Sequence, residues 1–400
     1  MMKRLMVVAC MFLAASAPSY PSPPDGPGML SQSYTQFGFE VLRELRLQQP
    51  NNNVFISPVS IAVTLAMTSN GASRTTREAI LRALHLDGQT IETLNAANHA
   101  VIREITDVTA VQISLANALW VQQDASINPS FSSALESSYS AQVGKLDFHN
   151  AAAVKAINAW VAKHTQDRVQ KIVDRVDPAT VAMLTDAIAF KGKWSSPFDP
   201  KTTQPHDFKI DRGIVHQVPM MKRSGEYSYT NTNGLEAIRL PYADGAFAMY
   251  VVLPQDRSGM ESFLKELTPD KFNLFLSSLE MRKGTIELPR FTMAYDTTLN
   301  GVLKKMGMGI AFSNNANFEN IYKGHQRMQI NEVRHASFLK VDEEGTEAAA
   351  ATSVGIRNLA MPRKQPPPFH MVVDHPFFLV IRDDRSGQLL FTGTVFDPKN

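Results

Sequence analysis

The stretch from Asp342 to Thr352 reads DEEGTEAAAAT, and its pattern of size and charge predicts a surface loop that can become a strand of a sheet. Successive side chains of a strand point to opposite faces. The odd positions carry the charged Glu347 and Arg357, whereas the even positions are small or apolar: Thr346, Ala348, Ala350, Thr352, Val354 and Ile356. In a strand the even set would therefore be buried and the charges would face outward.

Two other structures are compatible with this composition. An alanine-rich run is typical of a helix, because alanine has the highest helix propensity, and it also occurs in disordered linkers. Gly345, Gly355, Pro362 and the triplet 366–368 (PPP) oppose a helix, since glycine and proline interrupt it. From the pattern alone, helix, linker and conformational switch remain open.

The same stretch resembles the hinge of the serpin reactive-centre loop. Its members are Glu343, Glu344, Gly345, Thr346, Glu347, Ala348, Ala349, Ala350, Ala351 and Thr352. Other serpin-like segments follow one another in the expected order: NVFISPVSIAVTLAM (53–67), INAWVAKHT (157–165), LTDAIAFKGKWSSPF (184–198), LPRF (288–291), DHPFFLVIRD (374–383) and LLFTGTVFDP (389–398). The resemblance covers most of the chain.

The resemblance implies the fold. Serpins belong to the α+β class, with three β-sheets, about nine helices and an exposed reactive-centre loop, which here spans about residues 343–368. It also implies a single serpin domain over residues 31–400. Residues 18–30, which are rich in serine and proline, are expected to form a disordered lead-in.

Two local signals place elements within this fold. Ser57 followed by Pro58 is typical of a helix start, with the hydroxyl as N-cap and proline in the first turn. Near the end of the chain, PFFLVIRD and QLLFTGTVF are β-rich runs joined by a short turn. They predict a hairpin.

The first seventeen residues have the composition of a secretory signal peptide. Lys3 and Arg4 precede an apolar run from Leu5 to Ala15, which ends in small residues. Pro18 leaves the cleavage site open. Acylation of Cys10, the only cysteine, is a less favoured alternative, because the apolar run continues through it. We expect a secreted or periplasmic protein of bacterial origin.

Charge and motif content exclude several functions. The chain has 40 Lys and Arg against 38 Asp and Glu, so no net field attracts nucleic acid or an anionic membrane. It contains no GxSxG, HExxH, CxxC or Walker motif. The ten histidines do not have metal-ligand spacing. We expect a monomer that is not an enzyme and needs no cofactor or metal.

Two clusters in the main sheet follow from the resemblance. The breach, where loop insertion begins in serpins, corresponds to Trp194, Arg290 and Glu343. The shutter, which holds the middle of that sheet closed, corresponds to Ser57, Ser60, Asp186 and His335. This chain departs from the family at Asp186, where serpins usually have asparagine.

The residue before the cleaved bond determines the target protease. In inhibitory serpins the cleaved bond usually lies a fixed number of residues after the position that corresponds to Glu343. The same count in this chain places the bond between Leu359 and Ala360. Leucine suits a chymotrypsin-, elastase- or subtilisin-like pocket. Arg357 and Arg363 are alternatives that imply trypsin-like targets, and papain-like enzymes are a further alternative.

The resemblance implies an exported serine protease inhibitor that acts as a suicide substrate. The loop is cleaved, an acyl-enzyme forms, and the freed segment inserts as a strand of the central sheet before the acyl bond is hydrolysed. The alternative is a non-inhibitory serpin with a binding or chaperone-like role. Such members typically carry bulky or charged residues in the hinge, and this hinge is small.

Overall fold

The computed structural model describes residues 27–211, 213–323, 328–346 and 367–398. Within these ranges lie nine α-helices: α1 (Pro27–Gln48), α2 (Pro58–Ser69), α3 (Arg74–Ala83), α4 (Ile91–Thr106), α5 (Pro129–Tyr139), α6 (Ala152–His164), α7 (Arg257–Glu266), α8 (Pro269–Ser277) and α9 (Asn300–Lys305). Short 3₁₀ helices span Pro200–Thr202 and Met308–Phe312.

The strands in chain order are β1 (Val54–Ile56), β2 (Val111–Gln122), β3 (Gln142–Leu146), β4 (Ala182–Lys193), β5 (Gln204–Asp211), β6 (Ile214–Thr232), β7 (Leu235–Tyr242), β8 (Phe247–Pro254), β9 (Glu280–Pro289), β10 (Phe291–Thr298), β11 (Glu332–Val341), β12 (Gly345–Thr346), β13 (Phe369–Val372), β14 (Phe377–Asp383) and β15 (Leu389–Val395). Mixed helices and sheets confirm the predicted α+β class.

These strands form two hydrogen-bonded sheets. The main sheet has the order β10-β11-β4-β2-β3, with β12 paired to β4. A nine-stranded sheet has the order β1-β15-β14-β8-β7-β6-β9-β13, with β5 paired to β6. The 19-residue strand β6 pairs with β5, β7 and β9. It therefore joins into one sheet what the serpin resemblance counts as two.

The centre of the main sheet is a parallel pair. β11 and β4 pair from Glu332↔Met183 to Phe338↔Ala189. The carboxyl-terminal ends of both strands extend beyond this pairing. We call the gap between these ends, residues 191–193 of β4 and 340–341 of β11, the opening.

Helices cover both faces of the main sheet. On what we call the back face lies α2, in which every residue is buried. The side chain of Ser57 caps α2 by accepting a hydrogen bond from the backbone N–H of Ser60, as the sequence predicts. On the front face, α6 packs through Ile157 and Val161 against small side chains of the strands, including Ala187 and Ala336. α6 therefore lies on the front face, over these two alanines.

The amino-terminal boundary differs from the expectation. α1 begins at Pro27, and Leu30 is fully buried, so residues 27–30 are helix and not part of the lead-in. Proline suits the first turn of a helix, and burial of Leu30 fixes that turn. The expected signal peptide lies outside the described residues. No helix in the described ranges has both the length and the apolar composition needed to cross a membrane.

Candidate functional site: the opening and the shutter

The start of the hinge already occupies the opening. Gly345 and Thr346 form β12, which pairs antiparallel with Lys193 and Gly192 of β4 and also contacts β11. A Cβ at position 345 would lie 2.3 Å from the carbonyl oxygen of Gly192. Only glycine permits this approach. The chain thus enters the main sheet at its first small residues.

Thr346 faces the back of the sheet and is fully buried. Its hydroxyl lies 3.1 Å from the hydroxyl of Tyr242. Burial raises the pKa of Tyr242, so the phenol stays protonated and can donate this hydrogen bond. Of the even-numbered set, Thr346 is the member that the structure describes. The rest of the hinge, from Glu347 to Thr352, lies outside the described residues.

Trp194 lies against the hinge. Its indole Nε1 donates a 2.9 Å hydrogen bond to the carbonyl of Asp342, and its backbone N–H donates to the carbonyl of Glu344 at 3.0 Å. The indole stacks on the ring of Tyr242, with centroids 4.5 Å apart and planes inclined by 12°. The tryptophan is therefore held by the segment that leads into β12.

Arg290 and Glu343 meet beside the opening, but loosely. Their closest N–O distance is 3.5 Å, and the arginine side chain is 42% exposed. An ion pair this open contributes about 0–1 kcal/mol. Glu343 itself is buried, and it accepts a shorter hydrogen bond, 2.7 Å, from the hydroxyl of Thr203. Sequence reasoning missed Thr203, because nothing in its local sequence points to a partner 140 residues away.

The four shutter residues come together in the middle of the main sheet. His335 and Asp186 are cross-strand partners and are fully buried. The backbone N–H of Ser57 donates to Nε2 of His335 at 3.2 Å, so the ring proton is on Nδ1, which donates to Oδ2 of Asp186 at 2.8 Å. The hydroxyl of Ser60 donates to Oδ1 of Asp186. The cluster ties β11 to β4, and both strands to α2.

Asn117 is a neighbour that sequence reasoning missed. It is the cross-strand partner of Asp186 on β2 and is only 2% exposed. Neither its side-chain oxygen nor its nitrogen has a hydrogen-bond partner among the described residues. Asp186 thus lies between the imidazole of His335 on one side and an unpaired amide on the other.

The expected reactive bond follows Thr346 in the chain. Leu359, Ala360 and the alternatives Arg357 and Arg363 lie outside the described residues. β13, which follows this segment in the chain, pairs parallel with β9 in the nine-stranded sheet. The first strand described after Thr346 therefore belongs to the nine-stranded sheet and not to the main sheet.

Comparisons with known proteins agree with this architecture. The family model described as Serpin (serine protease inhibitor) matches residues 32–398. An uncharacterised serpin-like protein of Thermococcus kodakarensis is 34% identical over 368 residues, covering 91% of this chain and 84% of the relative. Leukocyte elastase inhibitor of Xenopus laevis is 31% identical over 381 residues, covering 92% of this chain and 99% of that protein.

A solved structure matches at the level of the fold. Human thyroxine-binding globulin superposes with a TM-score of 0.85 at 26% identity, covering 94% of this chain and 100% of that chain. The family model and the Xenopus laevis relative are named for protease inhibition and not for an enzymatic activity, and the chain is accordingly not an enzyme. From the match along residues 32–398, the chain belongs to the serpin family.

Proposed function

We propose that this protein is an exported inhibitor of serine proteases that acts as a suicide substrate. The protease cleaves the loop and forms an acyl-enzyme with its amino-terminal part, as with any substrate. The freed segment then inserts between β4 and β11, carrying the protease with it. Hydrolysis stops because the displaced protease loses its active-site geometry.

One observation supports the proposal most directly: β12 lies in the opening between two strands whose pairing has ended. Continuing the antiparallel register of β12 along β4 sets Thr352 opposite Asp186 and Val354 opposite Leu184. The even-numbered residues would then lie on the back face with Thr346. This is the burial pattern that the sequence predicts.

The change in strand pairing favours insertion. At present β4 and β11 pair in parallel. An antiparallel strand between them would replace one parallel ladder by two antiparallel ones, which are slightly more stable per residue. Each added backbone hydrogen bond contributes about 1 kcal/mol net. The uninserted protein is therefore held by a barrier and not by equilibrium.

Leu359 is our choice for the residue before the cleaved bond, with a chymotrypsin-, elastase- or subtilisin-like protease as the target. The name of the Xenopus laevis relative, leukocyte elastase inhibitor, is consistent with an elastase-like choice. Cleavage after Arg357 or Arg363 would instead indicate a trypsin-like target.

The test is incubation of the full chain with chymotrypsin, elastase, subtilisin, trypsin and papain, followed by denaturing gel electrophoresis. An inhibitor gives a detergent-resistant band with the combined mass of protein and protease. Mass spectrometry of the released carboxyl-terminal fragment identifies the bond, and a fragment beginning at Ala360 is expected. Fragments beginning at Asn358 or Lys364 would move the bond to an arginine.

Cleavage without a covalent band would contradict inhibition and favour the non-inhibitory alternative. Export is tested separately, by sequencing the amino terminus of the protein recovered from the periplasm or medium of an expressing bacterium. Retention of residues 1–17 in a cytoplasmic product would contradict it.

A further inference from the structure

The level of the main sheet next to Thr346 carries two lysines. Lys191 of β4 directly precedes Gly192, the partner of Thr346. Continuing the parallel register of β11 and β4 sets Lys340 at the level of Lys191. Both lysines have the same strand parity as Ala189 and Phe338, so they belong to the front face.

No carboxylate belongs to this row of the sheet. Lys191 is flanked by Gln112 on β2, and Lys340 is flanked by Thr292 on β10. Among the described residues Lys191 makes no ion pair, and Lys340 has one long contact, 3.4 Å to the carboxylate of Asp342. The row therefore holds two positive charges that are at most weakly compensated.

The segment that would enter the opening has one charge to match them. From Gly345 to Gly355, Glu347 is the only charged residue. On insertion, a continued register of β12 would set position 347 opposite Lys191, on the front face. The later front-face residues are Ala349 and Ala351. In the same register Ala351 would fall between Ala187 and Ala336, which lie beneath α6, and Ala349 between Ala189 and Phe338.

We propose that Lys191 and Lys340 form a receptor for the carboxylate of Glu347 in the first step of loop insertion. The inference rests on the proposed function and assigns positioning residues to it. Thr346 lies in the sheet and Glu347 follows it directly in the chain, so on insertion the side chain of Glu347 would be the first to meet the front face. Its carboxylate would arrive between one lysine on each neighbouring strand, at the distance at which cross-strand pairs interact.

This contact acts on the partition between inhibition and turnover. Faster insertion traps more acyl-enzyme, whereas slower insertion lets more inhibitor be hydrolysed as substrate. The lysines are partly exposed, so each lysine–Glu347 ion pair should change the insertion rate by roughly two- to fivefold, which corresponds to the energies of surface ion pairs. The effect should weaken in about 1 M salt, where the screening length is about 3 Å.

The test compares Lys191→Gln, Lys340→Gln and the double variant with the unaltered protein. The measurement is the number of inhibitor molecules consumed per protease molecule inactivated, at low and high salt. We expect this number to rise in each variant at low salt and to approach the unaltered value at high salt. Lys145→Gln, on the edge strand β3 of the same sheet, is the matched control and should change nothing.

Charge exchange separates an electrostatic role from a packing role. Glu347→Lys should insert poorly, and adding Lys340→Glu should restore part of the loss, because the pair is reformed with opposite signs. Unchanged stoichiometry in the lysine variants, or a loss that neither salt nor charge exchange alters, would overturn the receptor.

A peptide measurement keeps the inference testable without any protease. A synthetic peptide of residues 345–356 is added to the uncleaved protein, and its uptake is followed by the rise in thermal stability. Replacing the peptide's glutamate by glutamine should slow uptake by the unaltered protein but not by the double lysine variant. If no protease forms a covalent complex, the proposed function fails. The difference in uptake between the glutamate and glutamine peptides still tests whether Lys191 and Lys340 bind the carboxylate.

Discussion

Nδ1 of His335 lies 2.8 Å from Oδ2 of Asp186, on adjacent strands that must separate before another strand can enter. Serpins usually have a neutral asparagine at this position. A carboxylate accepts a stronger, charge-assisted hydrogen bond than an amide oxygen does. The sheet of this protein is therefore closed by a stronger tie than the family pattern provides, and opening the sheet must break it.

Asp186→Asn should accelerate spontaneous conversion to the inserted form. Hydrogen bonds to charged groups contribute about 1 kcal/mol more than neutral ones, so the barrier should fall by an amount worth roughly fivefold in rate. The measurement is the loss of inhibitory activity with time at a fixed elevated temperature. Asp296→Asn, an exposed carboxylate on β10, is the control. Equal half-lives for Asp186→Asn and the unaltered protein would contradict the tie.

Thr352→Val should impair insertion of the loop at the level of the His335–Asp186 pair. In the inserted form, a continued register of β12 would bring Thr352 between Asp186 and His335, where its hydroxyl could accept from Nδ1 and donate to the carboxylate. Valine has the same shape but leaves a buried charge without its donor, at a cost of about 1–3 kcal/mol. We expect fewer covalent complexes and a lower unfolding temperature of the cleaved form. Thr352→Ser should keep the yield of covalent complex and the unfolding temperature of the cleaved form. If Thr352→Val matches Thr352→Ser in both measurements, the hydroxyl does not bridge His335 and Asp186.

Thr346→Arg should convert the inhibitor into a substrate. Thr346 is fully buried against Tyr242, and burying an unpaired guanidinium there would cost several kcal/mol. Cleavage would continue while insertion is blocked. Gel electrophoresis should show cleaved chain with little covalent complex, whereas Thr346→Ser should behave like the unaltered protein. Undiminished complex with arginine would mean that insertion does not require a small, uncharged side chain at position 346.

The sequence was sufficient wherever a short pattern carries the information. Period-two alternation predicted that Thr346 faces inward, and the Ser57–Pro58 pair predicted the start of α2. The β-rich runs near the end form the antiparallel pair β14 and β15, as expected. These are local rules, because they depend on strand geometry and on the unpaired N–H groups of a helix's first turn.

Partners that meet only through strand register could not be predicted. Tyr242 reaches Thr346 across 104 residues, and Asn117 meets Asp186 because β2 and β4 pair in one register among many. Burial also overrode composition at the amino terminus. Pro27 and Gly28 indicate a loop, yet the buried Leu30 holds this segment in α1.

A hydrogen-bonded cluster of Lys209, Pro254, Asp374 and His375, here called the clamp, should make stability depend on pH. His375 donates from Nδ1 to Asp374 at 2.8 Å and from Nε2 to the carbonyl of Pro254 at 2.6 Å. Lys209 donates to the other oxygen of Asp374 at 2.7 Å. These contacts join the segment between β13 and β14 to β5 and β8.

The hydrogen bonds of the clamp shift two pKa values in opposite directions. Burial lowers the pKa of His375, but the hydrogen bonds to Asp374 and the Pro254 carbonyl outweigh it, so the net shift is upward. Burial raises the pKa of Asp374, but the hydrogen bonds from His375 and Lys209 outweigh it and lower the value to about 2. Both groups are therefore charged in mildly acidic solution.

The contribution of His375 to stability is complete below its unfolded pKa of about 6.5 and is lost as pH rises through the raised folded value. That of Asp374 is complete above about 4 and is lost as pH falls toward 2. The clamp should be strongest between about pH 4 and 6.5. His375→Gln should lower the thermal unfolding temperature most in that window and progressively less toward pH 9. Unfolding scans at one heating rate, from pH 5 to 9, measure the difference between the two proteins. His149→Gln, whose imidazole is 68% exposed, is the control, and a difference for His375→Gln that stays constant with pH would show that the imidazole is not charged in the folded protein.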